Sequence, residues 1–136
     1  MNSRVRRTEA LRLETDPSGG FLVLGVTGDM DHVGSAALAE RSLSELERHG
    51  QGPWRVVLDL GRVEFLDSSG LGAIAGLWKR VVRGGGHLVV ARPPRLAEIM
   101  LRRTGLDRYI PVGISMDAAR RLLAEGVRPE IRAAAG

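Results

Sequence analysis

Glu64 to Leu77 reads EFLDSSGLGAIAGL, which sets two hydroxyls, Ser68 and Ser69, between an acid and a glycine. Such a hydroxyl can serve as a nucleophile, a helix cap or a phosphate acceptor. A nucleophile elbow needs glycine two residues before the serine, and Leu66 and Asp67 hold those places. A serine nucleophile also needs a base within hydrogen-bond reach, and no spacing ties His32 or His87 to this turn. The lone lysine, Lys79, lies outside a G-x-x-x-x-G-K context, so a phosphate-cradling loop is missing too. No catalytic residue is therefore assigned, and the chain is not expected to be an enzyme.

Ser or Asp just ahead of a helix accepts from its first exposed N–H groups, a contact worth about 1 kcal/mol. Asp67, Ser68 and Ser69 are three consecutive candidates where one cap suffices. A helix start also accommodates phosphate, because its free N–H groups and dipole both favour negative charge. Phosphorylation there would add about −1.5 to −2 charges beside Asp67. A partner docked on that surface would then meet repulsion, which suits a switch rather than a catalyst.

Such a turn needs a strand ending and a helix beginning at Asp67. Trp54–Leu60, WRVVLDL, is β-branched and nearly continuous, as a strand covered on both faces is. Leu71, Ile74, Ala75, Trp78, Val81 and Val82 then recur at helical spacing, predicting a helix from about Ser69 to Arg83, stopped by Gly84-Gly85-Gly86. Leu77 falls off that stripe and is expected to face a partner, whereas Trp54 and Trp78 are expected to pack. HLVVA follows as a second buried strand, completing a βαβ unit.

Upstream, EALRLETD and FLVLGVTG flank Pro17–Gly20 as an antiparallel hairpin, with Leu11 and Leu13 alternating. Ala36, Ala39, Leu43 and Leu46 predict a helix from Ser35 to His49-Gly50. Downstream, PPRLAEIMLRRTG opens a helix with proline, buries Leu96, Ile99 and Met100, and ends at Gly105. RYIPV reads as a short edge strand, and Ser115 caps a last helix with Leu122 and Leu123 inward and Gly126 as its stop. The fold class is α/β: one domain with a mixed four- or five-stranded sheet and about four helices. Its expected bounds are 8–126, between a flexible start (1–7) and a flexible tail (127–136).

At 136 residues, one core is the natural arrangement. Aromatics are 4% of the chain, so Val, Leu, Ile and Ala must build that core. The absence of cysteine excludes disulfides, thiolate chemistry and cysteine-based zinc sites, and His32, His49 and His87 are not spaced as metal ligands. No cofactor or metal is expected. The net charge of +4 is spread along the chain without aromatic stackers, which argues against a nucleic-acid surface. No signal peptide or run of roughly 20 apolar residues is present, so the expected place is the cytoplasm, away from membranes.

LDSSGLGAI resembles the STAS-domain family, and within it the bacterial anti-sigma factor antagonists, whose strand-to-helix turn carries Asp-Ser-Ser/Thr-Gly-Leu/Ile-Gly. GDMDHVGSAAL is similar to the family's turn before its first helix, matching Gly28 and Asp31, and VVLDLGRVEFLDSSG to its central strand. LAEIMLRRTGLDRYIPV is similar to the family's Thr-Gly-Leu helix end, here Thr104, Gly105 and Leu106. Asp29 stands where the family commonly has Glu, and Gly34 where it has a Ser or Thr cap. Glu64 adds an acid ahead of the motif.

The resemblance implies a partner-switching regulator. The unphosphorylated chain would bind a serine-kinase anti-sigma factor and free the sigma factor. That kinase, holding ATP and magnesium, would phosphorylate Ser68, with Ser69 as a second candidate, and a metal-dependent serine phosphatase would reset it. Asp31, Asp67, Ser69, Gly70, Leu71 and Leu77 are the expected recognition residues, and weak self-association is left open. The alternative is a STAS scaffold or ligand-binding subunit of a larger sensory or transport assembly, with Ser68 only a cap.

Overall fold

Strand β1 (Arg12–Ser18) pairs antiparallel with β2 (Phe21–Met30) in the computed structural model, which describes residues 12–18 and 20–125. Strands β3 (Arg55–Leu66), β4 (His87–Ala91) and β5 (Val112–Gly113) extend the sheet in parallel, in the order β1-β2-β3-β4-β5. Helices α1 (His32–Arg48), α2 (Ser68–Arg83), α3 (Arg95–Thr104) and α4 (Met116–Glu125) alternate with these strands. A one-turn 3-10 helix, Leu106–Arg108, precedes β5. The α/β class with a mixed sheet is as the sequence predicts.

Strands β2, β3 and β4 are apolar on both faces because both are covered. Leu24, Val26, Val56, Leu58, Leu88 and Val90 pack with Leu38, Leu46, Ile74, Val81 and Leu101 from α1, α2 and α3. Val23, Val57, Val89 and Ala91 meet Ala119 and Leu123 of α4 on the other face. Each of the Val, Leu and Ile side chains contributes roughly 1.5–3 kcal/mol on full burial.

Four local expectations are corrected. Helix α1 begins at His32, three residues early, because Asp31 caps it, and its buried face is Gly34, Ser35, Leu38, Ser42 and Leu46. Ala36, Ala39 and Leu43 are exposed, since small hydroxyl residues occupy the core side. In α2, Leu71, Ile74 and Val81 are buried as predicted, yet Leu77 joins them at 7% exposure and Val82 turns outward. The apolar arc of this helix is wider than its buried face, so sequence spacing alone picked a row one position off. In α3 the small Ala97 and Leu101 meet the core, while Leu96 is exposed and Ile99 and Met100 are half-buried, because helix approach rather than side-chain size decides burial.

Strand β1 runs through Pro17 and Ser18, which pair with Leu22 and Phe21, so the hairpin turn is tighter than Pro17–Gly20. β1 is an edge strand, where a proline's missing donor is tolerated. Ser115 caps α4 through a 3.0 Å bond accepted from the Ala118 N–H, and Leu123 is buried beside a half-buried Leu122. The segments 1–7 and 127–136, with Leu11 and Gly126, lie outside the described residues.

Strand β3 overshoots its neighbour. Asp59 is its last residue paired with β4, opposite Ala91, and the chain continues to Leu66 along β2 alone. Register shifts on either side of Thr27 and Gly28 give β3 extra residues before Arg62 and before Phe65, and such bulges bend a strand. The step where β4 stops is clamped by a two-pronged ion pair, with Arg92 Nε 3.0 Å from Asp59 Oδ1 and Nη2 2.8 Å from Oδ2. The Asp59 hydrogen bond, then its charge, hold the Arg92 guanidinium above its ordinary pKa.

Candidate functional site

The parallel pairing of β2 and β3 sets Met30 opposite Leu66, so the strands end side by side. Each is followed by an aspartate that caps the next helix. Asp31 accepts from the Gly34 N–H at 2.8 Å and opens α1. Asp67 accepts from the N–H groups of Ser69 at 2.8 Å and Gly70 at 3.3 Å and opens α2. The Asp67 N–H in turn donates to the Met30 carbonyl at 3.4 Å, tying the two ends together. Two positive helix starts therefore share one rim of the sheet.

Ser68 is the first residue of α2 and is exposed, whereas Ser69 is half-buried. The cap is Asp67 rather than either serine, which leaves the Ser68 hydroxyl without a structural duty at the helix start. Gly70 is buried, and a Cβ there would lie 2.6 Å from the Met30 carbonyl oxygen and 2.9 Å from its Cβ. Its bareness thus lets α2 seat against the end of β2.

Gly34 corrects a second expectation. It is not the cap of α1 but a buried residue within its first turn, and a Cβ there would run into the Asp29 backbone carbonyl. Asp29 itself lies within β2 opposite Phe65, half-buried, and Glu64 and His32 are exposed. Leu71 and Leu77 are both buried, so neither offers a surface to a docking protein, and the expectation that Leu77 faces a partner is withdrawn.

Two apolar side chains that the sequence analysis did not single out flank the rim. Val33, in the first turn of α1, is 52% exposed, and Phe65, two residues before Asp67, is 47% exposed. The signal for Phe65 was present in V-E-F-L, where buried Val63 and Leu66 cannot both face inward without an extra residue between them. The rim thus offers an exposed hydroxyl, two carboxylates engaged as caps and two exposed apolar groups. That set suits docking and charge gating better than bond cleavage. Among the described residues, no group of three or more His, Asp or Glu is placed to hold a metal ion.

Comparison with known proteins matches residues 12–119 to the STAS domain. The chain is 28% identical over 102 residues to an anti-sigma F factor antagonist of Paenibacillus polymyxa, covering 75% of this chain and 86% of that one. The crystal structure of an anti-sigma factor antagonist from Mycobacterium paratuberculosis is similar at a TM-score of 0.75 and 25% identity, over 85% of this chain and 96% of that chain. The Bacillus cell fate determinant SpoIIAA in its phosphorylated form shares the fold, with a TM-score of 0.62 at 18% identity over 83% and 99% of the two chains.

Proposed function

The chain belongs to the STAS domain family, and on that premise we propose that it is an anti-sigma factor antagonist switched by phosphorylation of Ser68. The observation that carries this reading is the exposed Ser68 hydroxyl at the start of α2, beside a helix cap that Asp67 already supplies. A relative named for the same role supports the class of partner.

Unphosphorylated, the rim of Val33, Phe65 and the Ser68 turn docks a serine-kinase anti-sigma factor and so releases a sigma factor. Asp31 and Asp67 present fixed negative charge by which the kinase recognises the turn, with Ser69 and Gly70 completing its shape. The kinase, carrying ATP and magnesium, transfers phosphate to the Ser68 Oγ. The product is held at low cost by the α2 dipole, yet it sits close to Asp67 on a surface that was apolar and hydroxylic. Repulsion and desolvation then expel the partner, while the helix stays folded. A metal-dependent serine phosphatase restores the hydroxyl. The chain acts by binding rather than by catalysis, in the cytoplasm, where its kinase finds ATP.

Incubation with the kinase and ATP, read by intact mass, tests this. Wild type and Ser69→Ala should gain one phosphate, and Ser68→Ala none. A phosphate that survives Ser68→Ala would move the site to Ser69, and no gain by any kinase of this class would favour the scaffold role. Ser68→Asp should weaken kinase binding by tenfold or more, about 1.4 kcal/mol, and leave the melting temperature nearly unchanged.

A further inference from the structure

Helices α2 and α3 each follow a strand of the parallel part of the sheet, so they run side by side away from the rim. Glu98 and Arg102 of α3 border Pro111 and Val112 at β5. The opposite flank of α3, with Leu96, Met100 and Arg103 at helical spacing, is therefore the one turned toward α2. On α2 the matching flank carries Trp78 and, one turn on, Val82. Trp78 and Met100 pack against the same core, and the Tyr109 ring beyond α3 lies 5.7 Å from the Trp78 ring, tilted by 46°. This seam is open outward, with Leu96 50%, Val82 40% and Tyr109 37% exposed.

The charge around the seam is one-sided. Residues 78–109 hold eight Lys or Arg and two acids, a net +6 within a chain of +4, so the remainder of the chain is net negative. Lys79 beside Trp78, Arg103 on the seam flank of α3 and Arg108 beside Tyr109 are all exposed. None of the three makes an ion pair among the described residues. Trp, Tyr, Met and Arg are the residue types concentrated at the centres of protein interfaces, and here they occur together.

We propose that this seam docks an acidic amphipathic helix of another protein. Its apolar stripe lies over Leu96, Trp78 and Val82, as a helix seated in an apolar groove does. Its Asp and Glu residues face Lys79, Arg103 and Arg108. Charge selects this occupant, because a second copy of the chain would bring the same cations to the contact. Nucleic acid is the poorer fit, since base stacking needs an open ring face and Trp78 is held between the core and Tyr109. Trp78 is ten residues beyond Ser68, about 15 Å along α2, so the seam is a surface separate from the phosphorylation turn.

Titration of the isotopically labelled full chain with a designed peptide about four helical turns long, Leu on one face and Glu on the other, tests the assignment by NMR. The Trp78 indole N–H signal should shift saturably. The Trp54 signal, from a ring against Gly84 and under Arg80, should stay in place. A peptide with Lys for every Glu should not bind, and one with Ser for every Leu should bind roughly tenfold more weakly. Arg103→Glu combined with Arg108→Glu changes only exposed side chains, so that variant should fold and lose the peptide. Tyr109→Ala should weaken binding roughly tenfold. No saturable shift, shifts confined to the Ser68 rim, or equal binding by the charge-reversed variant overturns the proposal. Tighter binding of an oligothymidylate or of phosphatidylglycerol vesicles would overturn it in favour of nucleic acid or a lipid surface, and a Trp78 shift on concentrating the free protein would do so in favour of a second copy. Ser68→Asp should bind the peptide as wild type does, and no arm uses the kinase, so the outcome is separate from that of the phosphorylation switch.

Discussion

Removing the Asp67 carboxylate takes the acceptor from two N–H groups of α2. Asp67→Ala should therefore lower stability by about 1 kcal/mol in urea unfolding, whereas Asp67→Asn, which keeps an acceptor oxygen, should come close to wild type. If the kinase reads the charge, both variants should be phosphorylated more slowly, and Asp67→Asn separates recognition from folding. An unchanged rate in Asp67→Asn would confine Asp67 to the cap. At this scale the sequence is informative where residue type and local spacing decide the outcome, as for Asp67 and Ser68 within one strand-to-helix turn. It is silent where a distant atom decides. Gly34 looks like a weakened cap until the Asp29 carbonyl is seen against it, and Phe65 looks like core until the bulge turns it out.

Helix α1 makes that difference testable. If Gly34 stood at a cap, Gly34→Ser would be harmless or stabilising. Because it lies inside the helix against the Asp29 backbone, Gly34→Ser should instead destabilise by about 1–3 kcal/mol, measured as a lower denaturation midpoint. Helix α2 offers the opposite case. Gly72 is exposed with open space around it, so Gly72→Ala should stabilise the chain by up to about 1 kcal/mol through helix propensity alone. The existence and order of these elements are legible because period and stop signals are local properties of the chain. Which face of each helix is buried is less legible. α1 turns Ser35 and Ser42 inward and Leu43 outward, an arrangement set by how closely the helix approaches the sheet rather than by residue hydrophobicity.

At the scale of the whole molecule, the step between long β3 and short β4 rests on Arg92. Its backbone is in the left-handed region, φ 52°, where only glycine is unstrained, and its guanidinium lies against Gly61 while pairing with Asp59. Arg92→Ala loses the pair and keeps the strain, whereas Arg92→Gly loses the pair and relieves the strain. Arg92→Gly should thus be the more stable of the two by about 1 kcal/mol in chemical denaturation. A reversed order would mean that the backbone there relaxes once the side chain is gone. The overshoot of β3 that this clamp marks has a further consequence. Ser68 sits on a two-strand promontory where Val33, Glu64 and Phe65 are exposed and make little of the core. On the proposed phosphorylation switch, a phosphate at Ser68 would act directly on a partner docked at that rim. Under the same proposal, duplicate copies of such a chain would acquire separate partners by changing rim residues while one scaffold is kept.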